Sequence, residues 1–191
     1  MLSKHKNRSN IQMVKKMLSS KNDELRLLSF ATINELEESI HAEIHKYNEK
    51  LEILDNSEYE KRAYINKKLA LAYWELIYFQ LADEALKKFI LKKVEGYASS
   101  ALRVLKNDES MYLLLGKVYL ERKDDSIAIK YFNKSIEISE SKNFSNSKYI
   151  VPYLAEISFN NRNFKDVKKM ISEVDTFRQN QVLKPIYEIW S

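Results

Sequence analysis

The chain has 191 residues, a formal net charge of +5, 45% hydrophobic residues, 2 Gly, 2 Pro and no Cys. That much apolar side chain excludes a chain disordered throughout. The shortage of glycine argues against hairpin sandwiches, Rossmann units and P-loop domains, and the lack of cysteine excludes disulfides, thiol nucleophiles and Cys-ligated zinc.

An all-α fold is the expectation that remains. The longest nearly apolar stretch, Leu69 to Ala82, is interrupted by Glu75 and falls short of the ~18 residues of a membrane span. The N-terminus lacks the apolar core of a secretory signal, so export is not expected.

Residues 1–20 form a basic head with Lys4, Lys6, Arg8, Lys15 and Lys16 and no acid, which leaves 27 basic against 27 acidic groups in the rest of the chain. A solvated, partly disordered terminus is expected there. The same charges would suit an anionic lipid surface, nucleic acid or an acidic partner. Single-strand binding also needs aromatics among the cations, and the head has none.

From Asp23 the apolar residues Phe30, Ile33, Leu36, Ile40, Ile44, Tyr47, Leu51 and Leu54 recur at steps of three and four. They predict a long amphipathic helix within 21–57, opened by Asn22-Asp23-Glu24 and stopped by Asp55-Asn56-Ser57. Ile33, Ile40, Tyr47 and Leu54 lie seven apart, a seam that could meet the next helix of this chain or join two copies as a dimer. His41 and His45 lie off that seam, on the expected wet face. Their spacing can chelate a metal, but Ala42 stands where the glutamate of a zinc-protease motif belongs, so no metal or other cofactor is expected.

Residues 59–82 read as a second helix, apolar on nearly all sides and therefore buried between neighbours. Residues 84–105 read as a third, with Leu86, Phe89, Ile90, Val94, Tyr97, Ala98, Ala101, Leu102 and Leu105 on its inner face, followed by a break at Lys106-Asn107-Asp108. Glu109 to Glu140 holds two shorter helices joined by Arg122-Lys123-Asp124-Asp125. A further pair is expected at 148–176, with Leu154 and Ala155 on the first helix and Val167, Ile171 and Val174 facing inward on the second. Residues 179–191 read as a capping helix.

The stretch Glu109 to Glu140 resembles a tetratricopeptide repeat. Tyr112, Leu115, Gly116 and Tyr119 fill the first-helix positions of that motif, Ala128 and Phe132 those of the second, and Ser135 stands in place of the last alanine. Gly116 and Ala128 are small where the paired helices must approach closely. One 34-residue period earlier lie Val94, Ala98 and Ala101. The resemblance implies a solenoid of about three helix pairs over 58–178. It also implies a partner-binding groove on the first helices, formed by Leu113, Lys117 and Leu120 in one pair and Tyr149, Glu156, Phe159 and Asn160 in the next, with Ser110, Glu121 and Pro152 beside them. Phe79 is a groove candidate in the earlier pair. Glu75 and Glu156, each the only charge in an apolar stretch, need partners if buried. They are expected either in internal pairs or on the groove. The chain carries no recognisable nucleophile motif or phosphate-cradling loop, and a noncatalytic protein is expected.

The segments DELRLLSF at 23–30, YWELIY at 73–78, LLLGKVYL at 113–120 and VPYLAEISF at 151–159 resemble the cytoplasmic region of the PelE family, the repeat-bearing subunit of the bacterial Pel exopolysaccharide complex. The resemblance implies a scaffold at the cytoplasmic face of the inner membrane whose partner is a PelD-like cyclic-di-GMP receptor. The two transmembrane helices with which members of that family usually begin have no counterpart in this sequence. The alternatives are a generic cytosolic co-chaperone or regulator with the same groove, and a nucleic-acid binder acting through the basic head.

Overall fold

The computed structural model describes residues 7–142 and 147–172, which form eight helices and no strand. The chain divides into two compact units, Met1–Leu105 and Lys106–Ser191. The division falls at the Lys106-Asn107-Asp108 break, within the 58–178 stretch read as one array.

The first unit contains α1 (Arg8–Met17), α2 (Asp23–Ile53), α3 (Tyr59–Tyr78) and α4 (Glu84–Leu102). Helix α1 lies within the basic head, where a partly disordered segment was expected. Asn7 starts it by accepting the Ser9 amide at 3.0 Å, and Ile11 is buried. Helix α2 begins where its cap residues place it, because the Asn22 side chain accepts the amides of Glu24 and Leu25 at 2.9 and 3.2 Å. At its other end Arg62 of α3 donates to the carbonyls of Leu51 and Leu54 at 3.0 and 2.8 Å, satisfying acceptors that a helix terminus leaves open.

Leu36, Ile40 and Ile44 are buried within this unit, and α2 packs along α1 and α3. The stripe is displaced at its start. Ser29 is buried and Phe30 is 57% exposed. The Ser29 hydroxyl donates to the Leu25 carbonyl at 2.7 Å, so the small polar residue can face inward at little cost.

Helix α3 packs against both α2 and α4, as its all-round apolar surface requires, with Ala63, Ala70 and Ala72 giving close approach and Leu69 filling the centre. In α4 the inner face is Ile90, Leu91, Val94, Ala98 and Ala101. Leu86 and Phe89 are exposed instead. Leu86 sits in the first turn, and Phe89 lies about 100° around the helix from Ile90. Tyr97 stacks on Tyr73 at 5.7 Å and donates its hydroxyl to Asn48 of α2 at 3.2 Å.

The second unit contains α5 (Glu109–Glu121), α6 (Asp125–Ser141), α7 (Ser147–Asn160) and α8 (Phe164–Ser172). Gly116 and Ala128 are both buried. A Cβ on Gly116 would stand 2.5 Å from the Cδ1 and Cε1 atoms of Phe132, so the bare Cα lets α6 press its ring onto α5. Ser135 is fully buried and donates to the Glu109 carbonyl at 2.8 Å. In the next pair Ala155, Val167 and Ile171 are buried as expected. Val174 and the capping segment 179–191 lie outside the described residues.

The three hairpins α3/α4, α5/α6 and α7/α8 share one turn. Gln80, Lys123 and Arg162 have φ of 56°, 62° and 57°. Each donates to the carbonyl three residues back, Ile77, Leu120 and Phe159, and the residue after each donates to the carbonyl five residues back, Leu76, Tyr119 and Ser158. This is the paired bonding of a Schellman motif, made without glycine at the left-handed position. Scarce glycine therefore did not keep left-handed turns out of this chain.

Asp83, Asp124 and Asn163 then precede the second helices, at spacings of 41 and 39 residues rather than 34. Seven extra residues are about two helical turns and return to nearly the same face. That is why Val94, Ala98 and Ala101 are buried although the 34-residue step does not match the spacing of the turns.

Candidate functional site

The expected groove positions of the second unit divide into two groups. Leu113 and Leu120 of α5 are half-buried and pack on the core formed by Ala128, Phe132, Ile150 and Ile157. Phe132, pressed on Gly116, also stacks on Tyr153 of α7 at 5.4 Å, and the Lys117 ammonium stands 5.2 Å over the Tyr153 ring. These contacts join α5, α6 and α7 and leave Lys117 half-exposed beside an aromatic face.

On α7, by contrast, Tyr149, Glu156, Phe159 and Asn160 are all exposed. Tyr149 is 59% exposed and Phe159 49%, and Phe159 meets Phe164 of α8 edge to face at 5.7 Å. Glu156 is therefore not a buried carboxylate. Its neighbours Ala155 and Ile157 take the inner face, and Glu156 projects away from them.

In the first unit Phe79 is 4% exposed, which removes it from any groove. It caps the C-terminus of α3 just before the left-handed Gln80, and its ring meets Tyr78 at 5.0 Å. Glu75 is half-buried on α3 and engaged with groups of the chain itself. His41 and His45 are exposed, with Glu37 and Glu49 at 3.8 and 3.1 Å. Among the described residues no group of three or more histidines and acids is placed to hold a metal ion.

The basic head is spent partly on the protein itself. The Arg8 guanidinium stands 5.6 Å over the Tyr78 ring, and Lys15 donates to the Gln80 carbonyl at 2.5 Å. Both cations thus sit at the C-terminal end of α3, where unpaired carbonyls concentrate negative potential. Burial pushes the Lys15 ammonium below its usual range, against an opposing pull from Glu37. Lys16 is exposed, and Lys4 and Lys6 lie outside the described residues.

Other surfaces are exposed in whole or in part. Tyr131 of α6 stacks on Tyr119 at 5.4 Å and lies 6.3 Å from Tyr112, with Arg122 over Tyr119 at 5.3 Å. The repeat motif supplied Tyr112 and Tyr119 but has no position for Tyr131. Leu25, Leu27, Leu28 and Phe30, within the DELRLLSF segment, are exposed at the start of α2. Where α2 turns into α3, a groove of about 550 Å³ is lined by Tyr47, Ile53, Leu54, Tyr64 and Ile65 together with Lys50, Glu60 and Lys61.

The chain matches no protein-family model, no curated protein and no solved structure. No helix among the described residues is long and apolar enough to cross a membrane.

An ion pair ties the second unit's first hairpin. Lys142, just past α6, donates to Glu109 Oε2 at 2.5 Å and to the Asn107 carbonyl at 2.8 Å. The Lys142 hydrogen bond, then the backbone amide and the Lys142 charge, hold the Glu109 carboxyl below its ordinary value of 4.5, against burial and Asp108. A lowered carboxyl stabilises the fold above the unfolded-state value and loses that contribution as pH falls through the folded-state value. Carboxyl NMR titration is expected to place Glu109 below its ordinary value, and Lys142→Ala to return it upward. An unchanged Glu109 titration in that variant would refute the assignment.

Proposed function

We propose that this chain is a noncatalytic scaffold that binds protein partners through a tetratricopeptide-like array of helical hairpins. The observation that carries the reading is that the α7/α8 hairpin leaves three aromatic side chains exposed, Tyr149, Phe159 and Phe164, together with Glu156 and Asn160. Rigid aromatic side chains on a packed helical frame are the anchors that protein interfaces use most. The repetition of one turn in three hairpins, and the Gly116 to Phe132 contact, support a repeat architecture.

The partner and setting follow from the PelE-like segments: a membrane-associated exopolysaccharide complex at the cytoplasmic face of the bacterial inner membrane, with a PelD-like cyclic-di-GMP receptor bound to this subunit. Those four sequence segments are the support for that part. The nucleic-acid alternative is weakened because Arg8 and Lys15 face Tyr78 and Gln80 of the chain itself. Dimerisation through the α2 seam would have to use residues other than Leu36, Ile40 and Ile44, which are already buried. A generic co-chaperone would use the same face with a different partner.

Co-purification of the tagged chain from its own cells tests the proposal. A cyclic-di-GMP receptor is expected among the captured proteins. The Tyr149→Ala, Phe159→Ala double variant is expected to reduce that capture by about tenfold or more while leaving the helical circular dichroism unchanged. Capture of chaperones alone, or of ribosomal and nucleic-acid material alone, would overturn the assignment.

A further inference from the structure

Gly96 occupies the middle of α4, where glycine is the poorest helix former apart from proline. Gly116 has a reason in the ring of Phe132. Gly96 has none among the described residues, since a Cβ built there meets none of their heavy atoms within 4 Å. It lines an open groove of about 540 Å³ with Asn66 of α3 and Phe89, Lys92, Lys93 and Tyr97 of α4.

Among the described residues the charged groups of that lining are both cationic, Lys92 and Lys93, with no acid. Phe89 is 54% exposed, with the Lys93 ammonium 5.4 Å over its ring. Tyr97 is fixed by its hydrogen bond to Asn48 and its stacking on Tyr73, so this wall is held in place before anything binds.

From these features we infer that the groove docks an acidic helix of a partner protein. The missing side chain at Gly96 admits the partner's backbone close to α4. Lys92 and Lys93 each meet a separate carboxylate, and Phe89 takes an apolar side chain between them. Adjacent helix positions diverge by about 100°, so the two ammonium groups suit acids spaced along a segment rather than convergence on one phosphate. The inference rests on the scaffold reading and adds the chemistry of a partner to it.

The test uses the full chain and a synthetic amphipathic peptide with glutamates on one helical face and leucines on the other. Fluorescence anisotropy gives the affinity, and amide shift mapping gives the place. Saturable binding that weakens steeply with salt is expected, with shifts centred on Phe89 and Gly96. Lys92→Glu with Lys93→Glu should weaken binding by about tenfold or more.

Gly96→Ala separates docking from folding by sign. The melting temperature should rise by about 2 °C, because alanine favours the helix, while affinity falls by about tenfold as the partner's approach is blocked. Peptide binding unchanged by Gly96→Ala overturns the inference. So does equal binding of a peptide with glutamine for glutamate, a failure of the peptide to bind, or the same shifts produced by inorganic phosphate alone. Tyr149 and Phe159 lie in the other unit, so the two readings fail separately. Partner capture unaffected by the Tyr149 and Phe159 changes, with peptide still bound here, would refute the α7/α8 surface, and the converse pattern would refute the groove.

Discussion

Phe132→Ala is expected to cost about 3–5 kcal/mol and to loosen the whole second unit, because the ring is fully buried, lies on Gly116 and stacks on Tyr153. Urea denaturation gives the size of the effect, and hydrogen exchange should show the lost protection in α5, α6 and α7 together. The partner substitution has a sign that tests the geometry more sharply. Gly116→Ala should improve helix propensity by about 1 kcal/mol, yet its Cβ would stand 2.5 Å from two ring carbons that lie in a packed core. Overpacking of that kind costs about 1–3 kcal/mol, so a net loss is expected. In the Phe132→Ala background the clash is gone, and the same substitution should become stabilising. This reversal is the coupling expected of residues in direct contact. A stabilising Gly116→Ala in the otherwise unaltered chain would show that the two helices do not approach as closely as described.

How much of this was legible in the sequence depended on whether a feature is written in local chemistry. Asn22, Asp108 and Asp124 stand before helices α2, α5 and α6, where a short polar side chain is needed, and each accepts an amide of the first turn. The small residues Gly116 and Ala128 marked the close approach of α5 and α6, since a bare Cα or a lone methyl is what lets two helix backbones come together.

Helix α1 was not legible. What holds its Lys15 is the Gln80 carbonyl, 65 residues away. The left-handed turns were hidden because Gln80, Lys123 and Arg162 do the work usually signalled by glycine. The extra length before Asp124 leaves the buried face of α4 unchanged, since about two helical turns return to nearly the same side.

The expected groove positions differ in exposure: Tyr149, Glu156, Phe159 and Asn160 are exposed, Leu113 and Leu120 are half-buried, and Phe79 is buried. A repeat pattern assigns positions to a face, whereas burial depends on which neighbour covers it. Neighbouring residues therefore part company: Phe79 is buried and Tyr78 is 38% exposed.

The second large effect lies in α2. Ile40→Asp is expected to destabilise the first unit by about 3–5 kcal/mol, since Ile40 has no exposed surface and the new carboxylate would enter an apolar contact without a partner. The same substitution decides what the Ile33, Ile40, Tyr47 and Leu54 seam is for. If it served chiefly to join two copies, Asp at this site would convert a dimer to a folded monomer and leave the helical signal intact. Burial of Leu36, Ile40 and Ile44 within the unit leads to the opposite expectation. Circular dichroism should show loss of helix on mild heating, and sedimentation should show no clean change from dimer to folded monomer. Asp in place of the exposed Ile53, on the same helix, should cost little, because that side chain is 85% exposed and its charge would remain in water. The contrast between these two sites separates the effect of burying a charge from the effect of adding one. Equal loss at both would mean that α2 is held by its net charge and helix propensity rather than by the packed stripe.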